Sequence, residues 1–277
     1  MPTSALLLAL AAAFVHAGWN LLLSGSEDTH SATAVALATG AIVFAPVAAI
    51  TWRLEPPAWP YIAASSSLEL LYLVLLATAY AVAAMGFVYP IARGSAPVLV
   101  LVAGSLFAAA GKPSAAATCG VILVAFGIVL VRGLRAEHNT RDLVMALSIG
   151  ACIAAYTLVD KHGVEHGNPL AYLQVVFSIA AIAYFAGAWR ARGPQAIRAA
   201  VSPSSMLAGV GFFGSYALTL AALRLASAAT VAAVRESSVV MAALATSAGL
   251  GGERTAGGHR LIGAAAVAAG VVLIALG

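Results

Sequence analysis

The sequence predicts an all-α polytopic membrane protein with ten transmembrane helices in two inverted five-helix repeats. Three observations predict it. The 277 residues are 62% hydrophobic and only 9% charged, whereas soluble domains carry roughly a quarter charged residues. The apolar text runs in continuous Ala-, Leu- and Val-rich blocks instead of the two-residue alternation of a β-barrel, so the blocks are helical. And one stretch occurs twice. Residues 89–112, YPIARGSAPVLVLVAGSLFAAAGK, align without a gap on residues 231–254, VAAVRESSVVMAALATSAGLGGER. Arg93 falls on Arg235, Ser95 on Ser237, Val98 on Val240, Ser105 on Ser247 and Lys112 on Arg254. One residue of offset later, Gly120 falls on Gly263 and Gly127 on Gly270. An internal echo of this length marks a duplicated unit.

A span needs about 20 mostly apolar residues, and the chain supplies ten in order. Span 1 is Ser4–Leu23. Its Ala-rich text has the look of a signal peptide, but MPTS holds no basic residue and the apolar run passes any cleavage point, so a retained span is expected. The polar loop SGSEDTHS ends it. Span 2 is Ala32–Trp52, with Pro46 expected to kink it. RLEPPAWP, residues 53–60, is a surface turn, and Trp52 and Trp59 suit the membrane interface. Span 3, Tyr61–Tyr80, carries Glu69. Span 4, Ala83–Ala110, is long and is expected to break at Pro90 and Pro97. Gly111-Lys112-Pro113 is a tight turn, and span 5 is Ala115–Val131. RGLRAEHNTRD, residues 132–142, is the charged linker between repeats, assigned to residues 1–135 and 136–277. Span 6 is Leu143–Asp160, followed by the loop KHGVEHGNP. Span 7 is Leu170–Trp189. The basic segment 190–203, with Arg190, Arg192 and Arg198, suits a surface loop or short interfacial helix. Spans 8, 9 and 10 are Ser204–Leu223, Ala226–Gly249 and Gly258–Leu276.

Five spans per repeat is an odd number, so the second repeat must enter the membrane upside down, the plan of many secondary transporters. The arginines of the loops collect on one side: Arg132, Arg135, Arg141, Arg190, Arg192, Arg198, Arg254 and Arg260 face four basic residues opposite. By the positive-inside rule both termini are then outside.

The duplicated stretch, the ten-span count and Gly252-Glu253-Arg254 closing the second copy together resemble the EamA family, a branch of the drug/metabolite transporter superfamily. HAGWN (residues 16–20), YTLVD (156–160), YPIARG (89–94) and RESSV (235–239) are similar to one subgroup of it. The likeness extends over nearly the whole chain. It departs in the first repeat, where Ala110-Gly111-Lys112 stands in place of Gly-Glu-Arg. The resemblance implies a carrier that exports or exchanges a small metabolite, often driven by protons, through a cavity lined by spans 1, 3, 4, 6, 8 and 9. It also implies cytoplasmic termini, against the charge count.

Ionisable residues at membrane depth are costly, so each needs a reason. Glu69 lies mid-span, on one helix face with Tyr72, and is a candidate for proton coupling or a cation contact; the bland alternative is a carboxyl bracing its neighbours. Arg93 and Arg235 hold matching places in the two repeats, and a guanidinium grips carboxylate or phosphate bidentately. Substrate contact is one reading of them; the other is a structural role, since Arg235 has Glu236 beside it, although adjacent residues do not share a helix face. Arg93 has no adjacent acid, so its partner is expected to be distant or to be substrate. His16 with Asn20, and Tyr156 with Asp160, repeat an i, i+4 spacing in equivalent spans, which suits a cavity lining or helix–helix hydrogen bonds. Tyr72 and Tyr216 are candidate aromatic walls. These ten residues form the expected substrate site, for an organic molecule of zwitterionic or anionic kind.

No cofactor, metal or nucleic-acid partner is expected. Cys119 and Cys152 lack ligand spacing, and there is no nucleophile–base pair, phosphate loop or basic run. The expected partners are the lipid bilayer and a small-molecule substrate, for a monomer or homodimer. A membrane enzyme is disfavoured because the ionisable residues are spread over both repeats. A lipid-linked-sugar flippase and a non-transporting scaffold or sensor are the alternatives. Ala-rich text with Arg over Lys suggests a bacterial source and hence the inner membrane.

Overall fold

The computed structural model describes residues 1–24, 26–82, 85–107, 114–132, 140–238, 240–241 and 258–276. They are mostly α-helical: α1 (Thr3–Ser24), α2 (Thr29–Ile50), α3 (Ala58–Val82), α4 (Met85–Phe107), α5 (Ala115–Arg132), α6 (Thr140–Gly163), α7 (Pro169–Ala199), α8 (Pro203–Leu225), α9 (Ala228–Arg235) and α10 (Gly258–Leu276), with a 3-10 turn at Val164–His166 and an isolated bridge between Leu54 and Gly167. Six of them (α1, α2, α3, α6, α7 and α8) are long and apolar enough to cross a membrane. Shorter apolar stretches lie in α4, α5 and α10.

The helix starts follow local chemistry. Asp28 caps α2, accepting from the amides of His30 and Ser31. Asn168 caps α7 with Pro169 behind it, and Ser202 and Ser205 form a reciprocal capping box ahead of α8. Such side chains satisfy the orphan amides of a first turn. A membrane offers no water to do so.

Several expected boundaries shift. α4 stays helical from Met85 through Phe107, so the expected break at Pro90 and Pro97 is absent from its backbone. The interruption falls instead in the matching stretch of the second half, where α9 closes at Arg235 with Glu236 as its C-cap. Thr140, Arg141 and Asp142, expected in the linker, form the first turn of α6. Pro46 lies inside a helix that runs on to Ile50. α7 passes Trp189 and turns at Gly193 (φ 81°), the one residue with positive φ among those described, before a last helical turn ending at Ala199. A side chain at Gly193 would be strained there. The turn 111–113, Glu253 and Arg254, and most of the expected span 9 lie outside the described residues.

Packing follows one scheme. α1 lies on α8 and α3 on α6; α4 lies on α6 and α1 on α9; α2 lies on α8 and α3 on α7. The other main pairs are α2 with α7, α4 with α5, α4 with α9 and, last, α5 with α10. In the last, a Cβ at Gly120 would stand 2.7 Å from the Gly270 carbonyl and a Cβ at Gly127 2.7 Å from that of Gly263. The backbones therefore touch, as small residues allow in membranes. Gly120 opposite Gly270 and Gly127 opposite Gly263 also makes α5 and α10 antiparallel. α2 and α7 are antiparallel too, since His30 bonds Tyr184 and Gln174 Nε2 donates to the Ala41 carbonyl. Large apolar side chains such as Phe14, Ile42, Ile50, Leu106 and Ile182 stay exposed on the outside, where a bilayer is their solvent.

Candidate functional site

The polar side chains that the outer surface excludes meet inside. His16, Glu69, Arg93, Asp160, Arg235 and Glu236 are each at most 7% exposed, and they come from α1, α3, α4, α6 and the end of α9.

They form two adjoining centres. In the first, Arg93 Nε lies 2.8 Å from Glu236 Oε2. Arg93 Nη2 donates to Ser238 Oγ at 3.4 Å and lies 3.3 Å from His16 Nε2. A guanidinium has only donors, so His16 accepts at Nε2 and carries its proton on Nδ1. That Nδ1 is buried without a partner among the described residues. The structural alternative for Arg235, a pair with its neighbour Glu236, is not among the ion pairs of the described residues; Glu236 is instead the distant partner of Arg93. The cause is helix geometry: consecutive residues point about 100° apart, so Arg235 and Glu236 address different sides.

In the second centre Asp160 is fully buried. Tyr172 donates its hydroxyl to Oδ1 at 2.9 Å, and Tyr216 donates to Oδ2. Arg235 extends over the Tyr216 ring, its Cζ 5.2 Å from the centroid, a cation–π geometry. Tyr156 stands edge-on to Tyr216 and to Tyr72, with centroids 6.2 and 5.9 Å apart. Glu69 lies within electrostatic reach of Asp160 and Arg235, and its Oε1 has no hydrogen-bond partner among the described residues. Arg235 Nε is likewise buried without one.

Nine of the ten expected site residues thus share one buried region. Asn20 does not join them by any contact seen: its Nδ2 donates to the His16 carbonyl at 2.9 Å, on its own helix. Tyr172, Ser238 and Trp19 were missed. Trp19 sits edge-on to His16, with centroids 4.8 Å apart. Tyr172 reaches Asp160 because the chain turns back through residues 164–168 and Gly163 leaves room; a Cβ there would lie 2.5 Å from the Tyr172 ring. A glycine at the end of α6 was the one sequence signal for that approach. Among the described residues, no three His, Cys, Asp or Glu side chains stand together to hold a metal ion.

Apolar helices wrapped around buried charge define an integral, multi-pass membrane protein. Residues 141–276, the second half of the chain, match the model of the EamA-like transporter family, a family of membrane transporters. One solved structure, titled only "Crystal structure of protein", superposes with a TM-score of 0.76 over 100% of this chain and 99% of that chain, at 16% identity, a likeness of fold. No curated protein matches the sequence.

Proposed function

We propose that the protein is a secondary transporter working by alternating access. Two inverted repeats, residues 1–135 and 136–277, would rock about the buried charged region and export a small organic metabolite across a bacterial inner membrane. The packing scheme supports the inversion. Exchanging each helix for its partner five places on turns α1–α8 into α6–α3, α4–α6 into α9–α1 and α2–α8 into α7–α3, and all six pairs are present. The self-paired helices α5 and α10 run antiparallel, as an axis in the membrane plane requires.

The observation that carries the functional reading is the contrast between the two arginines. Arg93 is neutralised by Glu236. Arg235, equally buried, belongs to none of the ion pairs among the described residues. Its neighbours are the Tyr216 ring at 5.2 Å and, within electrostatic reach, the carboxyls of Glu69, Asp160 and Glu236; a buried guanidinium whose donors are not taken up by a direct ion pair is free to take a group that arrives. An anionic group of the substrate fits the guanidinium. Glu69, with its orphan oxygen beside Arg235 and Asp160, is the coupling group: it exchanges a proton as the substrate enters and leaves. Tyr72, Tyr156 and Tyr216 form the wall between them.

The test is transport in proteoliposomes under a proton gradient, with a pH-sensitive dye inside and organic acids, amino acids, nucleosides and amines added in turn. Substrate-dependent proton flux is expected in the wild type and is lost in Glu69→Gln, while counterflow of labelled substrate persists. In Arg235→Gln both are lost. Flux that survives Arg235→Gln with unchanged affinity would remove Arg235 from the site.

A further inference from the structure

The far end of α7 carries a feature that transport through the centre does not use. Along its outer face Ile179 and Ile182 are 47% and 72% exposed. Next comes Trp189, 41% exposed and stacked on Phe185 with centroids 5.9 Å apart. Beyond it the exposed arginines Arg190, Arg192 and Arg198 gather within nine residues. Apolar, then aromatic, then cationic is the order a bilayer presents from hydrocarbon to headgroup. At 1.5 Å per residue, Ile182 and Trp189 are about 10 Å apart along the axis, about a third of the hydrocarbon thickness.

The backbone keeps this group together. Gly193 turns the chain with φ 81°, and Ile197, 4% exposed, packs into the cluster of Ala34, Val35 and Ala188. The last turn is thereby pinned against α2 while Arg198 stays in the open. Of the neighbouring acids Glu27 and Asp28, the second is largely engaged. Asp28 accepts from the Ser31 hydroxyl at 2.6 Å and from the amides of His30 and Ser31, and Arg192 Nε approaches it only to 4.0 Å, with that side chain 47% exposed. Arg190 and Arg198 form no ion pair among the described residues.

We propose that Trp189, Arg190, Arg192 and Arg198 form a binding site for the headgroup of an anionic phospholipid in the leaflet on that side, which fastens the α2–α7 pair at the membrane surface. The charge fits a phosphodiester: guanidinium groups take phosphate oxygens through paired N–H donors, and each cation near an anionic surface strengthens the attachment about fivefold. The indole marks the depth at which the glycerol backbone lies.

The full chain is reconstituted in vesicles of phosphatidylcholine containing a minor share of brominated phosphatidylglycerol or, separately, brominated phosphatidylcholine. Trp189 emission is taken as the difference between wild type and Trp189→Phe. Brominated phosphatidylglycerol is expected to quench it several-fold more than brominated phosphatidylcholine at equal content. Half-molar salt weakens that preference. Arg190→Gln/Arg192→Gln/Arg198→Gln abolishes it, with helix content and monodispersity as folding controls. Arg198→Gln alone, far from the packed core, lowers it about fivefold and serves if the triple variant fails to fold. Inorganic phosphate at millimolar concentration should not displace the lipid; displacement would make the site one for free phosphate. Equal quenching by the two lipids, or a preference unchanged in Arg198→Gln and the triple variant, overturns the proposal.

Discussion

Arg93 and Arg235 occupy matching places in the repeated stretch but have different surroundings, and the difference is measurable. Removing one member of a buried ion pair strands the other, at a cost of about 3–5 kcal/mol. Arg93→Gln and Glu236→Gln should therefore each lower the melting temperature in detergent sharply. The double variant should lose less than the sum, because neither charge is left alone. Arg235→Gln breaks none of the ion pairs found among the described residues, so its melting temperature should fall less than that of Arg93→Gln while transport disappears. A fall as large as that of Arg93→Gln would mean that Arg235 has a structural partner. At Asp160, Tyr172→Phe deletes one of two donated hydrogen bonds. Bonds to a charged acceptor are worth about 1.5–3 kcal/mol, and thermal unfolding should register a loss of that order.

At the scale of elements, caps and glycines carry the specificity that apolar text lacks. Asp28 starts α2 at the surface. Partial burial pushes its carboxyl upward, but the hydroxyl and amide of Ser31, the Arg192 guanidinium and the His30 amide together bring it below its ordinary value. A carboxylate with a depressed folded value adds stability that is full above its unfolded value, near 4, and fades as pH falls through the lower folded value. The wild type should lose this increment on acidification below about pH 4, whereas Asp28→Ala, already weaker by about 1 kcal/mol, should show a flatter profile there. A parallel acid limb in both proteins would assign the loss elsewhere. In the α5–α10 contact, Gly127→Leu drives a side chain into a space where even a Cβ lies 2.7 Å from the Gly263 carbonyl. Overpacking of this kind costs about 1–3 kcal/mol or more. The variant should melt lower, and Gly263→Leu should match it if the contact is reciprocal.

For the molecule as a whole, the proposed inverted repeat makes a prediction about sides. Glu55 and Gln195 are both exposed, at opposite ends of the antiparallel pair α2 and α7. With Cys119 and Cys152 changed to serine, single cysteines at these two positions should react with impermeant maleimide from opposite faces of intact cells or right-side-out vesicles. Labelling of both from one face would break the topology. The face that labels Gln195 also settles the contest between the arginine count, which puts that end inside, and the family likeness, which puts it outside.

Composition and periodicity alone determined that the chain is helical and membrane-spanning, because in hydrocarbon only helices of this text satisfy their own backbone. The echo of residues 89–112 in residues 231–254 is what led to the proposal of two repeats. Spacing along a helix was enough to nominate His16, Glu69, Arg93 and Arg235, since intramembrane charge is rare and expensive. Tertiary structure alone decided who meets whom. Glu236 turns from its neighbour to Arg93, Tyr172 returns across a loop to Asp160, Asn20 stays on its own helix, and the interruption lies after Arg235 while α4 runs through its prolines. Those choices depend on which faces of separate helices come together, and sequence neighbours a hundred degrees apart on a helix carry no record of it.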